Sequence, residues 1–166
     1  MGVIRPAAPA DAQAILELRL ANRSRLAPFE PDAPVDPESR YRLDGVERWV
    51  AAGDGRYVIV DAGTLAGTVG LFDIEGPPIA SAILGYWVDA AREGRGLATR
   101  AVAEVLAVAF GELGLHRVEA GTRVDNVGSQ RVLQRNGFTC VGLLRRHLLI
   151  QGEWVDHLLW ERLADD

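Results

Sequence analysis

Cysteine occurs once in this 166-residue sequence, at Cys140. A lone thiol closes no internal disulfide, and no metal-ligand spacing surrounds it, so it reads as a buried structural thiol. Histidine is also sparse. His116, His147 and His157 form neither a His-x-x-His nor a His-Glu-x-x-His pattern, which argues against any zinc or other metal site. No apolar run approaches the ~18 residues of a membrane-spanning helix. The opening "MGVIRPAAPAD" lacks the apolar core of a secretion signal. Pro6 stands where a myristoylation signal carries Ser or Thr. These absences suggest a cytoplasmic protein with no membrane partner. Excess positive charge is missing too: 18 Lys+Arg face 23 Asp+Glu, for a net charge of −5. A general nucleic-acid binder needs the opposite balance to displace counterions from phosphate.

What remains is an ordinary globular composition, 48% hydrophobic and 25% charged, sized for one domain over residues 1–166. "VIRPA" (3–7) reads as a short strand. Asp11 is positioned to cap a helix through "AQAILELRLANRSRL", where Ile15, Leu18, Arg19 and Asn22 recur at helical spacing. Four prolines in "PFEPDAPVDPE" (28–38) exclude regular helix or central strand there. A second helix is expected over 39–52, with Val46, Trp49 and Val50 apolar, and "GDG" (53–55) ends it. The period then shortens to two. Strands are predicted at 56–62, 65–74 and 81–89, followed by a long helix over 96–113, a strand over 116–124 and a short helix ending near Gly137. A hairpin turning at Gln151-Gly152 closes the chain. The helix between the strands at 81–89 and 116–124 makes that pair parallel, while tight turns make the others antiparallel. The expected fold is a mixed α/β sheet, mostly antiparallel, with helices on both faces.

"AREGRGLATR" (Ala91–Arg100) sits at the start of the long helix. Glycines ahead of a helix let backbone N–H groups approach a phosphate, and the helix dipole adds positive potential. A nucleotide P-loop is excluded, because no Lys-Ser or Lys-Thr follows either glycine. The dinucleotide fingerprint Gly-x-Gly-x-x-Gly matches Gly94 and Gly96 but meets Thr99 at its third position. Glu119 lies twenty residues further on, where a ribose-binding acid is expected, but antiparallel hairpins surround the motif instead of a parallel sheet.

The wider pattern resembles the pyrophosphate loop of the GNAT superfamily of N-acetyltransferases. The family's Gln/Arg-x-x-Gly-x-Gly/Ala falls on Glu93-Gly94-Arg95-Gly96-Leu97-Ala98, with Glu93 replacing the first residue. A second block, "NVGSQRVLQRNGF" (Asn126–Phe138), resembles the family's next motif. The resemblance spans nearly the whole chain. It implies a three-layer α/β/α sandwich whose one parallel strand pair splays apart, with acetyl-CoA as cofactor. It assigns coenzyme contacts to Gly94, Gly96, Leu97, Ala98, Thr99 and Asn126. Phosphate would repel the Glu93 carboxylate, so its side chain is expected to turn away, with Arg92 or Arg95 supplying the positive charge. A bulged strand would place a backbone N–H near Val88 as oxyanion donor.

Acetyl transfer needs a neutral amine, a proton acceptor, an oxyanion donor and an acid for the leaving sulfur. Many family members carry a Tyr as that acid, at the position of Leu133 here. Instead, Ser129 stands three residues after Asn126. This spacing, with "LLIQGEWVDHLLW" (148–160) and "NRSRLAPFEP" (22–31), resembles the RimJ/RimL branch, which acetylates N-terminal amines of ribosomal proteins. The resemblance makes Ser129 the hydroxyl near the sulfur. An α-amine has a pKa of ~8 against ~10.4 for lysine, so a weak base suffices. Glu30, in the proline-rich loop, is the first candidate, either as base or as a carboxylate that holds the ammonium. Asp89, His147 and Asp156 are the others. Trp49, Trp87, Trp154 and Trp160 read as core, although Trp87 sits on the strand expected to splay. The expected acceptor is a protein N-terminus. A small amine, such as an antibiotic or polyamine, and a non-catalytic acyl-CoA-binding module remain alternatives. The chain is expected to act as a monomer or homodimer.

Overall fold

A run of short apolar strands broken by glycine turns sets the architecture. The computed structural model describes residues 2–32 and 36–166, so the stretch at 33–35 of the proline-rich loop lies outside the described residues. The strands are β1 (Ile4–Pro6), β2 (Arg56–Asp61), β3 (Thr64–Glu75), β4 (Ser81–Val88), β5 (Arg117–Arg123), β6 (Thr139–Ile150) and β7 (Glu153–Leu163). They form one sheet in the order β1-β2-β3-β4-β5-β7-β6. β4 and β5 are the parallel pair, and every other neighbouring pair is antiparallel. This is the mixed sheet expected from the chain order.

The helices are α1 (Ala12–Ala21), α2 (Arg23–Leu26), α3 (Leu43–Ala51), α4 (Leu97–Ala107) and α5 (Val127–Arg135). Strand alternation sends neighbouring side chains to opposite faces. On one face, Val58 packs with Ala12 and Ile15 of α1 and Val46 and Val50 of α3. On the other, Ile59, Val69 and Leu71 pack with Val102 and Val105 of α4 and Leu133 of α5. Leu133, at the family's tyrosine position, is thus a core residue. Burying each such side chain contributes about 1.5–3 kcal/mol.

Several local expectations change. Trp154 is 61% exposed and does not belong to the core, and the first helix breaks at Asn22 into α1 and α2. Asp11 does not cap α1 forward; its carboxylate accepts from the Ala8 N–H at 2.8 Å and pairs with Arg5 at 2.7 Å. Residues 39–52 divide into a 3-10 turn (Ser39–Tyr41), an extended Arg42 and α3. The long helix widens into a π turn over Val108–Glu112. Cys140 is exposed, not buried, because it lies on β6, one of the two edge strands of the sheet.

Candidate active site

β4 and β5 are held together over three residue pairs only, Ser81–Arg117, Ala82–Val118 and Ile83–Glu119. Continuing that register brings Gly85 opposite Gly121, and there the ladder has ended. Neither glycine sends a side chain into the gap. β4 meanwhile stays in regular antiparallel register with β3 from Ile83 to Val88. The parting of the strands therefore needs no bulge in β4, contrary to expectation. On the α1/α3 side, the gap opens into a cavity of about 630 Å³ whose wall includes Ile15, Val46, Trp49, Gly85, Gly121 and His157.

Beyond Val88 the chain turns through Ala90–Arg92 into the glycine loop. Gly94 (φ 73°) and Gly96 (φ 72°) are left-handed, a conformation that costs other residues about 1–2 kcal/mol. A Cβ at either position would meet nothing within 4 Å, so the backbone lies open to a ligand. Gly96 caps α4 without a side-chain bond, which leaves the first-turn N–H groups of Leu97, Ala98 and Thr99 free of intrahelical partners. The Leu97 side chain is buried, so this residue offers its backbone alone. Open donors at a helix N-terminus suit a pyrophosphate.

The charges around the loop are divided. Glu93 turns to Arg25, 2.6 Å away. Arg92 is held by Asp61 at 2.8 Å, whereas Arg95 is 64% exposed and only 3.8 Å from the same carboxylate. Of these two, Arg95 is therefore the cation more open to an incoming phosphate.

Asn126 caps α5 by accepting from the Ser129 N–H at 3.2 Å. At the other end of α5, Asn136 donates to the Thr99 carbonyl at 3.2 Å and ties the two motifs together. The Ser129 hydroxyl lies 2.8 Å from the hydroxyl of Tyr86 on β4. Burial pushes the Tyr86 phenol up to about 12, so it stays protonated and can donate to Ser129 Oγ. The Ser129 hydrogen is then free to point elsewhere.

On the cavity side, Glu30 is only 16% exposed and is fully engaged. One oxygen pairs with Arg19; the other accepts from the Tyr41 hydroxyl and lies 3.5 Å from Arg40. In this arrangement neither oxygen is open to an amine proton. Arg19 also lies over the rings of Trp87 and Tyr41, at 5.4 and 5.5 Å. Among the described residues, Trp87 Nε1 and Arg19 Nε are buried without hydrogen-bond partners.

Three residues escaped the sequence reading. Asn22, 4% exposed, holds the start of the loop: its amide donates to Asp89 at 3.0 Å and accepts from the Ala90 N–H at 3.0 Å. Arg25 joins Asn22, Glu93 and the Val88 carbonyl. Tyr86 is the third. The helical recurrence of Asn22 with Ile15 was the one available signal, since a polar residue on an apolar stripe needs a buried partner.

Residues 3–139 match the family model for the acetyltransferase (GNAT) domain. The chain is 35% identical to the probable N-acetyltransferase YjcK of Bacillus subtilis (strain 168), over 98% of this chain and 94% of that protein. The solved structure of Mycobacterium smegmatis RimJ in complex with CoA-disulfide is 34% identical, with a TM-score of 0.89, over 98% of this chain and 81% of that one. The ribosomal-protein-S5-alanine acetyltransferase of Vibrio fischeri is 28% identical, with a TM-score of 0.88, over 98% and 93%. The chain therefore belongs to the GNAT acetyltransferase family, N-acetyltransferases whose acetyl donor is acetyl-CoA.

Proposed function

We propose that this enzyme transfers acetyl from acetyl-CoA directly to the N-terminal α-amine of a protein, with ribosomal proteins as the favoured class. One observation carries the reading: a hydroxyl fixed by Tyr86 and an apolar cavity lie on opposite faces of the gap between β4 and β5. A thioester held in that gap has an acid on one side and room for an acceptor on the other. Relatives that act on ribosomal proteins support the acceptor class.

Acetyl-CoA supplies an activated acyl group, and the chain supplies everything else. Backbone N–H groups at the start of α4, with Arg95, hold the pyrophosphate. Asn126 orients the coenzyme from the start of α5. A β4 N–H near Val88 donates to the developing oxyanion. Ser129 gives its proton to the departing sulfur, while Tyr86 steadies the serine oxygen. Glu30 balances Arg19 and Arg40 on the cavity wall and so shapes the acceptor site. The cytoplasm, where ribosomal proteins are made, is the matching compartment.

Peptides with free N-termini, N-terminally blocked lysine peptides and small amines form the test panel, with acetylated product read by mass. Product mass is preferred to a thiol reagent, because Cys140 is exposed. All 18 basic residues are arginine, so the enzyme presents no ε-amine of its own. Acetylation of the free-N-terminus peptides alone is expected. Activity confined to small amines would reject the protein acceptor, and no product from any amine would favour a binding module.

A further inference from the structure

Two imidazoles on the cavity wall have no task in the mechanism so far. His147 on β6 and His157 on β7 lie with ring centroids 5.8 Å apart, edge to face, and both line the cavity. His157 is 3% exposed. Its Nδ1 is 3.0 Å from the Val155 carbonyl oxygen. A carbonyl only accepts, so Nδ1 carries the hydrogen and, in the neutral ring, Nε2 carries the lone pair. Among the described residues nothing donates to Nε2. Gly121 leaves the imidazole uncovered toward the gap: a Cβ there would stand 3.9 Å from the ring.

The other candidate bases are committed elsewhere. Both Glu30 oxygens are engaged. Asp89 accepts from Asn22, and Asp156 accepts from the Arg146 N–H at 2.7 Å. His147 is exposed, which suits it to exchange protons with water.

Given the acetyl-transfer reading, we infer that His157 is the general base, taking the acceptor amine's proton on Nε2, and that His147 passes it to solvent. The nitrogen lone pair forms the C–N bond, and the C–S bond breaks with its electron pair on sulfur. The nitrogen's proton goes to His157 and then to water through His147. Ser129 Oγ protonates the sulfur and is reprotonated from solvent, so amine and thioester become amide and thiol. The charged and titratable groups facing His157 are Arg123 on β5, itself paired with Asp125 at 2.8 Å, His147 on β6 and Asp156 on its own strand. Burial, His147 and Arg123 push the ring below its usual 6.5, and it is neutral at pH 7.

His157→Asn keeps a donor for the Val155 carbonyl and removes the base. We expect kcat on an N-terminal peptide to fall about 10²–10⁴-fold, the acidic limb of the kcat–pH profile to vanish and CoA affinity to hold. Ring-nitrogen NMR of the coenzyme-free protein should show the Nδ1–H tautomer titrating below pH 6.5. Wild-type kcat and an intact acidic limb in His157→Asn would overturn the inference, as would an Nε2–H tautomer. A larger loss in His147→Gln would move the base to His147 and overturn it equally. Should His157→Asn fail to fold, the NMR and the wild-type profile decide. A wild-type enzyme inactive on every amine defeats the acetyl-transfer reading as well, whereas an active wild type matched by His157→Asn defeats this inference alone.

Discussion

Asn22→Ala is the most informative single change outside the chemistry. The Asn22 amide donates to the Leu18 carbonyl at 2.9 Å and to Asp89 at 3.0 Å, and it accepts from the Ala90 N–H at 3.0 Å and Arg25 at 3.1 Å. Truncation leaves the Ala90 N–H and the Asp89 carboxylate short of a partner in a site that is 4% exposed at Asn22. A fully buried orphan costs about 1–3 kcal/mol, and Ala90 stands at an exposed position beside the half-buried Asp89. Asp89 retains some access to water and the Arg92 guanidinium at 4.0 Å, which places the total near the low end, about 2–3 kcal/mol. For a chain of this size that lowers Tm by about 4–12 °C. The displaced segment leads into the glycine loop, so acetyl-CoA should also bind about tenfold more weakly, equivalent to about 1.4 kcal/mol. Thermal melts and calorimetric titration read both effects. Asn22→Asp keeps the acceptor, loses both donors and sets a second carboxylate against Asp89, so it should be no more stable than Asn22→Ala. An Asn22→Ala protein that melts within a degree of wild type and binds acetyl-CoA unchanged would refute the clamp.

The remaining predictions concern catalysis, packing and pH. Ser129→Ala should lower kcat about 10²-fold or more with acetyl-CoA affinity intact, and Tyr86→Phe should cost less, because the phenol acts through the serine. Equal kcat in Ser129→Ala and wild type would remove the serine from the mechanism. A Cβ at Gly67 would stand 2.1 Å from the Trp87 carbonyl oxygen, so Gly67→Ala should force β3 from β4 and cost about 1–3 kcal/mol in denaturant titration. His157 is held below its unfolded value of ~6.5, so below that pH the unfolded chain binds more protons and stability falls. Melts between pH 7.5 and 5 should show this decline, and His157→Asn should flatten it.

How far the sequence was legible follows from the range of each interaction. The strand–turn pattern, the β4–β5 crossover and the glycine loop are local signals, carried by period-two alternation and by Gly94 and Gly96, and each appears in the structure where the residues put it. Tyr86 and Ser129 lie 43 positions apart, and Asn22 and Asp89 lie 67 apart. Such contacts exist only once the sheet and its two helical layers are assembled, so no spacing rule reveals them. Asp11 reads as a helix cap because it precedes an apolar run, but its carboxylate pairs instead with Arg5 on the preceding strand. Residue type alone puts Cys140 in the interior, because it cannot tell a central strand from an edge.

On the proposed function, the loop from Glu93 to Thr99 holds the pyrophosphate of acetyl-CoA through open backbone donors. Titrating the wild-type enzyme with acetyl-CoA and with S-acetylpantetheine, which lacks the pyrophosphate together with the adenosine 3′-phosphate, measures what that half of the coenzyme contributes, and a loop variant assigns the share that the pyrophosphate supplies. Charge-assisted hydrogen bonds are worth about 1.5–3 kcal/mol each, so acetyl-CoA should bind on the order of 10²-fold tighter or more. The double substitution Gly94→Ala with Gly96→Ala strains both left-handed positions and should erase most of that preference. Equal affinity for the two compounds in the wild-type enzyme, or a preference untouched in the double variant, would show that the loop does not hold the pyrophosphate.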